Sequence, residues 1–303
     1  MSVAESLAAL GLTAKFDEPL ARHGFWRIGG PADALVTITT VTQLKAVMSL
    51  SVPVTVLGNG SNLLIADAGI RGVVVKLKGE FLVSTFSPGQ VEVGGGLLNV
   101  ALLARLAKRG LGGLGCLAGI PGTVGGAIRM NAGWRLGEIG TVTTGIEAVL
   151  QGGESVRYTP EDIGFVYRRA PGLPEGAVVS RVWLSLTGGE AVAEERALIK
   201  QYLGRRKATQ PLDRPSCGSV FKNPPGDYAG RLIEAAGLKG HTIGGAQISN
   251  KHANFIVNIG GATAADAHGL IMLARNTVRE QFGVIIEPEV HAVGDWPEGS
   301  WPL

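Results

Sequence analysis

Glycine constrains this chain more than any other residue. It fills 46 of 303 positions, about double the usual share of ~7%, and much of it is gathered into two motifs. Gly58-Asn59-Gly60-Ser61-Asn62 follows the apolar run Val52 to Leu57. Gly119-Ile120-Pro121-Gly122-Thr123-Val124-Gly125-Gly126 interrupts an apolar stretch and runs on to Met130-Asn131-Ala132-Gly133. No collagen period or low-complexity tract accounts for them. Glycine lets successive main-chain N–H groups converge on an anion and approach it closely, so loops of this kind suit a phosphate-bearing ligand. Taken alone, the first motif reads more plainly as a tight turn, whereas the glycine density of the second favours main chain in contact with a ligand.

The first motif has G-x-G, but Leu63 stands where a dinucleotide fingerprint needs its third glycine, and no Gly-Lys-Ser/Thr occurs in the chain. Neither a Rossmann nor a Walker A loop is present. Spacing alone does not identify the ligand.

The flanking segments read as alternating elements. Helices are expected over Glu5 to Leu10, just after Thr40, over Leu98 to Lys108, Glu190 to Arg206, Tyr228 to Ala236 and Thr263 to Phe282. Strands are expected up to Ile38, over Val52 to Leu57, Gly72 to Leu77, Val91 to Val93, Val178 to Leu186, Asn254 to Ile259 and Val284 to Val293. A hairpin turning at Gly152-Gly153 is expected over Gly145 to Val156. Composition becomes linker-like around Pro211 and Pro215, which places a domain boundary near residue 205. The result is an α+β chain with a domain over 1–205 (core about 26–190) and a smaller α+β domain over 206–303. No repeat with a period of 20 to 50 residues is visible.

Charge and titratable residues narrow the function classes. A net charge of +3 with 17% charged residues leaves no broad cationic face for a nucleic-acid backbone. The N-terminus lacks signal-peptide order and no run of eighteen apolar residues appears, so a cytoplasmic protein without membrane insertion is expected. Cys116 and Cys217 form no C-x-x-C pair, and His23, His241, His252, His268 and His291 show no metal-ligand spacing, so no metal site is expected.

Taken in order, several motifs resemble the UDP-N-acetylenolpyruvoylglucosamine reductase family of flavoenzymes. They are Trp26-Arg27-Ile28-Gly29-Gly30-Pro31-Ala32, Leu57 to Leu64, residues 119–133, Tyr167-Arg168, Gly218-Ser219-Val220-Phe221-Lys222-Asn223-Pro224, Gly244-Gly245-Ala246-Gln247 and Glu287-Pro288-Glu289-Val290. The resemblance covers nearly the whole chain. It implies a vanillyl-alcohol-oxidase (PCMH) type FAD-binding domain followed by a smaller substrate-binding domain. It also implies non-covalent FAD, NADPH as hydride donor, UDP-N-acetylglucosamine enolpyruvate as substrate and a monomer by default. The absence of an inserted tyrosine-bearing loop matches the shorter subtype.

By the same resemblance, Gly58, Asn59, Gly60, Ser61 and Asn62, with Gly122, Thr123, Val124, Gly125 and Gly126, are the expected FAD contacts. Arg168, Ser219 and Glu289 are the expected catalytic residues, with Ser219 as proton donor. Tyr167, Lys222, Asn223 and Gln247 are expected at the substrate. Taken without that context, Ser219 would be a turn cap, Arg168 a surface cation and Glu289 a salt-bridge partner. The chain departs from the family pattern at Gly24-Phe25, at Trp134-Arg135-Leu136 and at Ala170.

Overall fold

Five of the described helices begin where a Ser or Thr side chain accepts a main-chain N–H three residues on, and in four of them the bond is reciprocated. In a computed structural model, which describes residues 2–299 and residue 301, Ser2, Thr40, Thr159 and Thr263 each form such a capping box. The reciprocal bonds satisfy donors that a helix cannot satisfy itself. The helices that follow are Val3–Ala9, Val41–Met48, Pro160–Ile163 and Ala264–Phe282. Gly11 lies just beyond the first of them with a positive φ of 65°, a conformation open to glycine without steric cost.

The chain divides into two units. The first comprises residues 1–15, 34–59 and 72–204, and the second comprises 16–33, 60–71 and 205–303. A single cut near residue 205 therefore omits two excursions. Their cause is apolar: Trp26, Ile28 and Leu64 are buried in the core built by the C-terminal third of the chain. The Trp26 indole also donates to the carbonyl of Ile256 at 2.9 Å. No linker separates the units at 205 either, because helix Glu190–Thr209 runs through that position.

The first unit holds a five-stranded antiparallel sheet in the order Ser155–Tyr158, Thr143–Val149, Val178–Ser185, Gln90–Gly94 and Ser84–Ser87. Gly152 and Gly153 turn its hairpin with φ of 92° and 84°. A second sheet, whose strands also carry the chain into and out of the second unit, pairs Val54–Val56 in parallel with Ile70–Leu77. Helices Asn99–Ala107 and Val124–Arg129 supply Leu102, Leu106, Val124 and Ile128 to the core under the larger sheet.

In the second unit Thr242–Ile243, Ala246–Ile248 and Ile256–Asn258 form a three-stranded sheet, and Leu63–Ile65 pairs in parallel with His291–Val293. Helices Ala229–Ala235 and Ala264–Phe282 bury Leu232, Ile233, Leu270, Ile271 and Val278. The strand expected over Val284 to Val293 shortens to its last three residues, and Pro288 makes only an isolated bridge to Phe221. A proline has no N–H to give a ladder. Strand Leu63–Ile65 had no sequence signal of its own, because it follows the glycine motif without a break and is only three residues long.

Candidate active site

In the first unit the two glycine motifs meet. A Cβ on Gly58 would stand 3.0 Å from the Thr123 hydroxyl oxygen, and one on Gly125 would stand 3.0 Å from the carbonyl oxygen of Gly95. A side chain at 58 or 125 would therefore be tight against its neighbour, whatever the loops bind. The Thr123 hydroxyl accepts from Gly126 N–H at 3.3 Å, Val124 N–H donates to Leu97 at 2.8 Å, and Gly125 N–H donates to Gly95 at 2.8 Å. Three of the five expected donors in the second motif are thus turned to protein acceptors. Among the described residues, the N–H groups of Gly58, Asn59, Gly122 and Thr123 have no protein acceptor. Half-buried donors left in this way are what an anionic ligand needs from a main chain, and this set fits the phosphates of FAD.

Lys76, on the strand next to the first motif, donates from Nζ to the Gly58 carbonyl at 2.6 Å. Burial, with a smaller contribution from Lys78, lowers its pKa to about 8.

Arg168 sits at the tip of a tight reversal closed by the Val166 to Arg169 bridge, with φ of 58°. Its guanidinium donates to the Gly133 carbonyl at 3.2 Å, lies 3.8 Å from the Glu138 carboxylate and covers the Tyr167 ring at 4.7 Å. Asn131, buried and at φ of 40°, organises this group. Its amide donates to Glu138 at 2.6 Å and to the Val166 carbonyl at 3.0 Å, and its oxygen accepts from Gly140 N–H at 3.0 Å. Residue reading had Asn131 only as part of a glycine-rich tail. The signal that marks it is an Asn in front of Ala-Gly, where a left-handed residue is tolerated. Tyr167 is exposed. At the departure Trp134-Arg135-Leu136, the Trp134 ring stacks on Tyr202 at 3.6 Å and its indole N–H donates to the Gly115 carbonyl at 2.8 Å, so the larger residue has its own partners.

In the second unit a cleft of about 440 Å³ is lined by Ser219, Asn223, Tyr228, Lys251, His252 and Asn254, among others. The segment carrying Ser219 is clamped on both sides. Val220 N–H donates to the Asn254 carbonyl at 2.9 Å, and the Asn254 side chain accepts from Phe221 N–H at 2.9 Å and donates to the Phe221 carbonyl at 2.8 Å. Opposite, Glu289 N–H donates to the Val220 carbonyl at 2.7 Å and Lys222 N–H to the Glu287 carbonyl at 2.9 Å. Ser219 and Glu289 are thereby held to one short main-chain segment, and Asn254 is a residue that sequence reading missed.

The remaining expected residues have internal partners. Lys222 pairs with Glu287 at 2.5 Å, and the Asn223 side chain accepts from Ala229 N–H at 3.2 Å at the start of a helix. Gln247 donates to the Gly240 carbonyl at 3.3 Å and the Thr242 hydroxyl at 3.1 Å. Asn62 donates to the Glu289 carbonyl at 2.9 Å. Gly60 must be glycine, since at φ of 61° a Cβ would stand 2.8 Å from the Gly24 Cα. At that departure the partner is main chain: Phe25 N–H donates to the Gly60 carbonyl at 3.1 Å. Cys217 is buried, and burial together with the nearby Glu289 carboxylate pushes its thiol pKa up. Among the described residues no group of three His, Cys, Asp or Glu side chains is arranged to hold a metal ion, and no helix is long and apolar enough to cross a membrane.

Comparison with known proteins places both units. Residues 32–159 match the family model described as an FAD binding domain. Residues 210–293 match the model described as the C-terminal domain of UDP-N-acetylenolpyruvoylglucosamine reductase. The chain is 47% identical to the UDP-N-acetylenolpyruvoylglucosamine reductase of Anaeromyxobacter sp. strain Fw109-5, over 92% of this chain and 88% of that one. It is 44% identical to that of Rubrobacter xylanophilus, over 96% and 98%. Its fold resembles the crystal structure of UDP-N-acetylenolpyruvylglucosamine reductase from Thermus caldophilus with a TM-score of 0.79 at 40% identity, covering 93% of this chain and 98% of that one.

Proposed function

Because the chain belongs to the UDP-N-acetylenolpyruvoylglucosamine reductase family, we propose that it uses NADPH to reduce UDP-N-acetylglucosamine enolpyruvate to UDP-N-acetylmuramate, with Ser219 as the proton donor. It is an FAD-type oxidoreductase by its matched domain, and the product is a precursor of peptidoglycan. When bound, FAD supplies the relay that carries hydride from NADPH to the enolpyruvyl double bond. The chain's own residues then have three tasks.

The first is to hold the cofactor. Main-chain N–H groups of Gly58, Asn59, Gly122 and Thr123 are assigned to its phosphates, and the short residues around them permit close approach. The second is to deliver a proton. Hydride adds to the methylene carbon and leaves negative charge on the α-carbon and its carboxylate. The Ser219 hydroxyl gives its proton to that carbon and regains one from solvent. A hydroxyl is a weak acid, but transfer to a carbanion-like carbon is downhill once the geometry is fixed.

The third task is to stabilise charge. Arg168 offers a planar, permanently charged fork to the substrate carboxylate. Glu289 assists as a hydrogen-bonding acid. Tyr167, Lys222, Asn223 and Gln247 are assigned to the sugar nucleotide.

The observation that carries Ser219 is its place on the wall of the cleft, on a segment clamped by Asn254. The test is an anaerobic flavin spectrum. In Ser219→Ala, NADPH should still bleach the flavin while reoxidation by the enolpyruvyl sugar nucleotide slows by roughly 10²–10⁴-fold, the range of general-acid catalysis. Reoxidation at the unmodified rate removes Ser219 from the proton path.

A further inference from the structure

Lys76 is a cation held beneath the first glycine motif, where its ammonium meets a main-chain carbonyl. Its Nζ donates to the Gly58 carbonyl at 2.6 Å, and no carboxylate pairs with it among the described residues. A half-buried ammonium with only a neutral acceptor is costly to keep. An anion arriving nearby would offset that cost.

The bond also fixes the polarity of the loop. The peptide between Gly58 and Asn59 is trans, so the C=O of Gly58 and the N–H of Asn59 point in opposite directions across one planar unit. With the carbonyl drawn to Lys76, the Asn59 N–H faces away from the strand, on the side where no protein acceptor among the described residues meets it. On its other side Gly58 abuts Thr123, whose hydroxyl oxygen would lie 3.0 Å from a Cβ at position 58.

We propose that Lys76 is a positioning residue for the FAD diphosphate: its protonated side chain orients the Gly58–Asn59 peptide as an anion donor and supplies the positive charge that the diphosphate offsets. This rests on the reading of the two glycine motifs as FAD loops. Of the two strands beside Ile70–Leu77, Val54–Val56 carries no ionisable side chain and Pro31–Ile38 carries Asp33, which pairs with Arg71; both glycine motifs carry none, and Lys78 is the charged group that acts on Lys76. An anion at the loop favours the protonated lysine, so binding and protonation are linked. Affinity for FAD should hold steady at low pH and fall as the pH rises through about 8, where the free protein's Lys76 loses its proton.

The experiment compares apoprotein of the unaltered chain, K76M and K76R, titrated with FAD by quenching of flavin fluorescence at several pH values, with thermal melting of each apoprotein. In K76M, FAD binding should weaken about 10- to 100-fold, the worth of a charge-assisted hydrogen bond, and lose its decline above pH 8. K76R should restore a large part of the affinity and move the decline beyond the range measured. Apo K76M should melt no lower than the unaltered apoprotein, since an apolar side chain replaces a half-buried charge. A merely structural lysine would instead give a lower melting temperature with FAD affinity per folded molecule unchanged, and that result overturns the proposal. Equal affinity and equal pH dependence in K76M and the unaltered chain overturn it as well, while leaving the FAD reading intact. Failure of the unaltered apoprotein to bind FAD overturns both.

Discussion

The side-chain amide of Asn62 donates to the main-chain carbonyl of Glu289 at 2.9 Å, across 227 residues of sequence. The return bond is just beyond it: His291 N–H donates to the Asn62 carbonyl at 3.0 Å. The end of the first glycine motif is thereby joined to the segment that carries a proposed catalytic carboxylate, and the parallel pairing of Leu63–Ile65 with His291–Val293 continues from this point. Asn62 therefore has a task that its place in a glycine loop did not suggest.

Asn62→Ala removes one side-chain hydrogen bond from this junction and leaves the Glu289 carbonyl short of a donor. A stability loss of about 1 kcal/mol is expected. Flavin affinity should change less than the rate at which the enolpyruvyl sugar nucleotide reoxidises the reduced flavin, because the lost bond holds Glu289. Equilibrium FAD titration and stopped-flow reoxidation on the same variant separate the two.

Asn254→Ala acts on the other side of the Ser219 segment. It removes both side-chain bonds to Phe221 and leaves a buried N–H and a buried C=O without partners, a cost of about 2–4 kcal/mol. Urea unfolding should report that loss. Where the variant remains folded, flavin bleaching by NADPH should be retained while reoxidation slows, since the proton donor is no longer fixed in direction.

Glu195 receives two main-chain donors in the first unit, Gly113 N–H at 2.9 Å and Gly115 N–H at 2.5 Å. Gln at this position can turn only one oxygen to them and must face an NH₂ group toward the other. Glu195→Gln should lower stability by about 1–3 kcal/mol, read as a lower melting temperature. The Trp134 and Tyr202 stack beside the same turn should change its tryptophan emission.

Both cysteines should be silent to a thiol reagent in the native protein. Burial, reinforced by Glu195, pushes Cys116 up to about 12, and burial pushes Cys217 up as well. A disulfide reagent at pH 8 should titrate no thiol until denaturant is added, and then both of the chain's two cysteines, because the thiolate is the reactive form. Fast labelling without denaturant would contradict the buried placement.

Asp266 gives a pH dependence of known sign. Main-chain donation from Thr263, with smaller help from Gly245 and the Thr263 hydroxyl, holds its carboxyl below the ordinary carboxylate value. The folded state thus binds this proton less readily than the unfolded state. The contribution is fully present above a pH of about 4 and is lost as the pH falls through the lower folded value. The stability difference between the unaltered chain and Asp266→Asn, measured by urea unfolding, should shrink steadily as the pH is lowered below the ordinary carboxylate pKa of about 4.

Much local chemistry was legible in the sequence where it depends on neighbours a few residues apart, although the helices capped by Thr123 and Thr159 were not expected. The Thr40 and Thr263 starts, the Gly152-Gly153 hairpin and the helices over Leu98 to Lys108 and Thr263 to Phe282 all rest on spacing, and the structure shows them within a few residues of expectation. So do the two glycine motifs and their order along the chain. Their resemblance to one family also named Ser219, Arg168 and Glu289 without any knowledge of distance.

What spacing could not reach is set by contacts between distant segments. Trp26, Ile28 and Leu64 join the C-terminal core because their apolar surface is buried there, and no local pattern says which core will take a tryptophan. Hydrogen bonds of Asn254 to Phe221, Asn131 to Glu138 and Lys76 to Gly58 depend on which chains come side by side. The same holds for Asn62 and Glu289. Sequence marked each as a residue of interest, but only the fold, by pairing the strand after Asn62 with the strand after Glu289, made them one structural element.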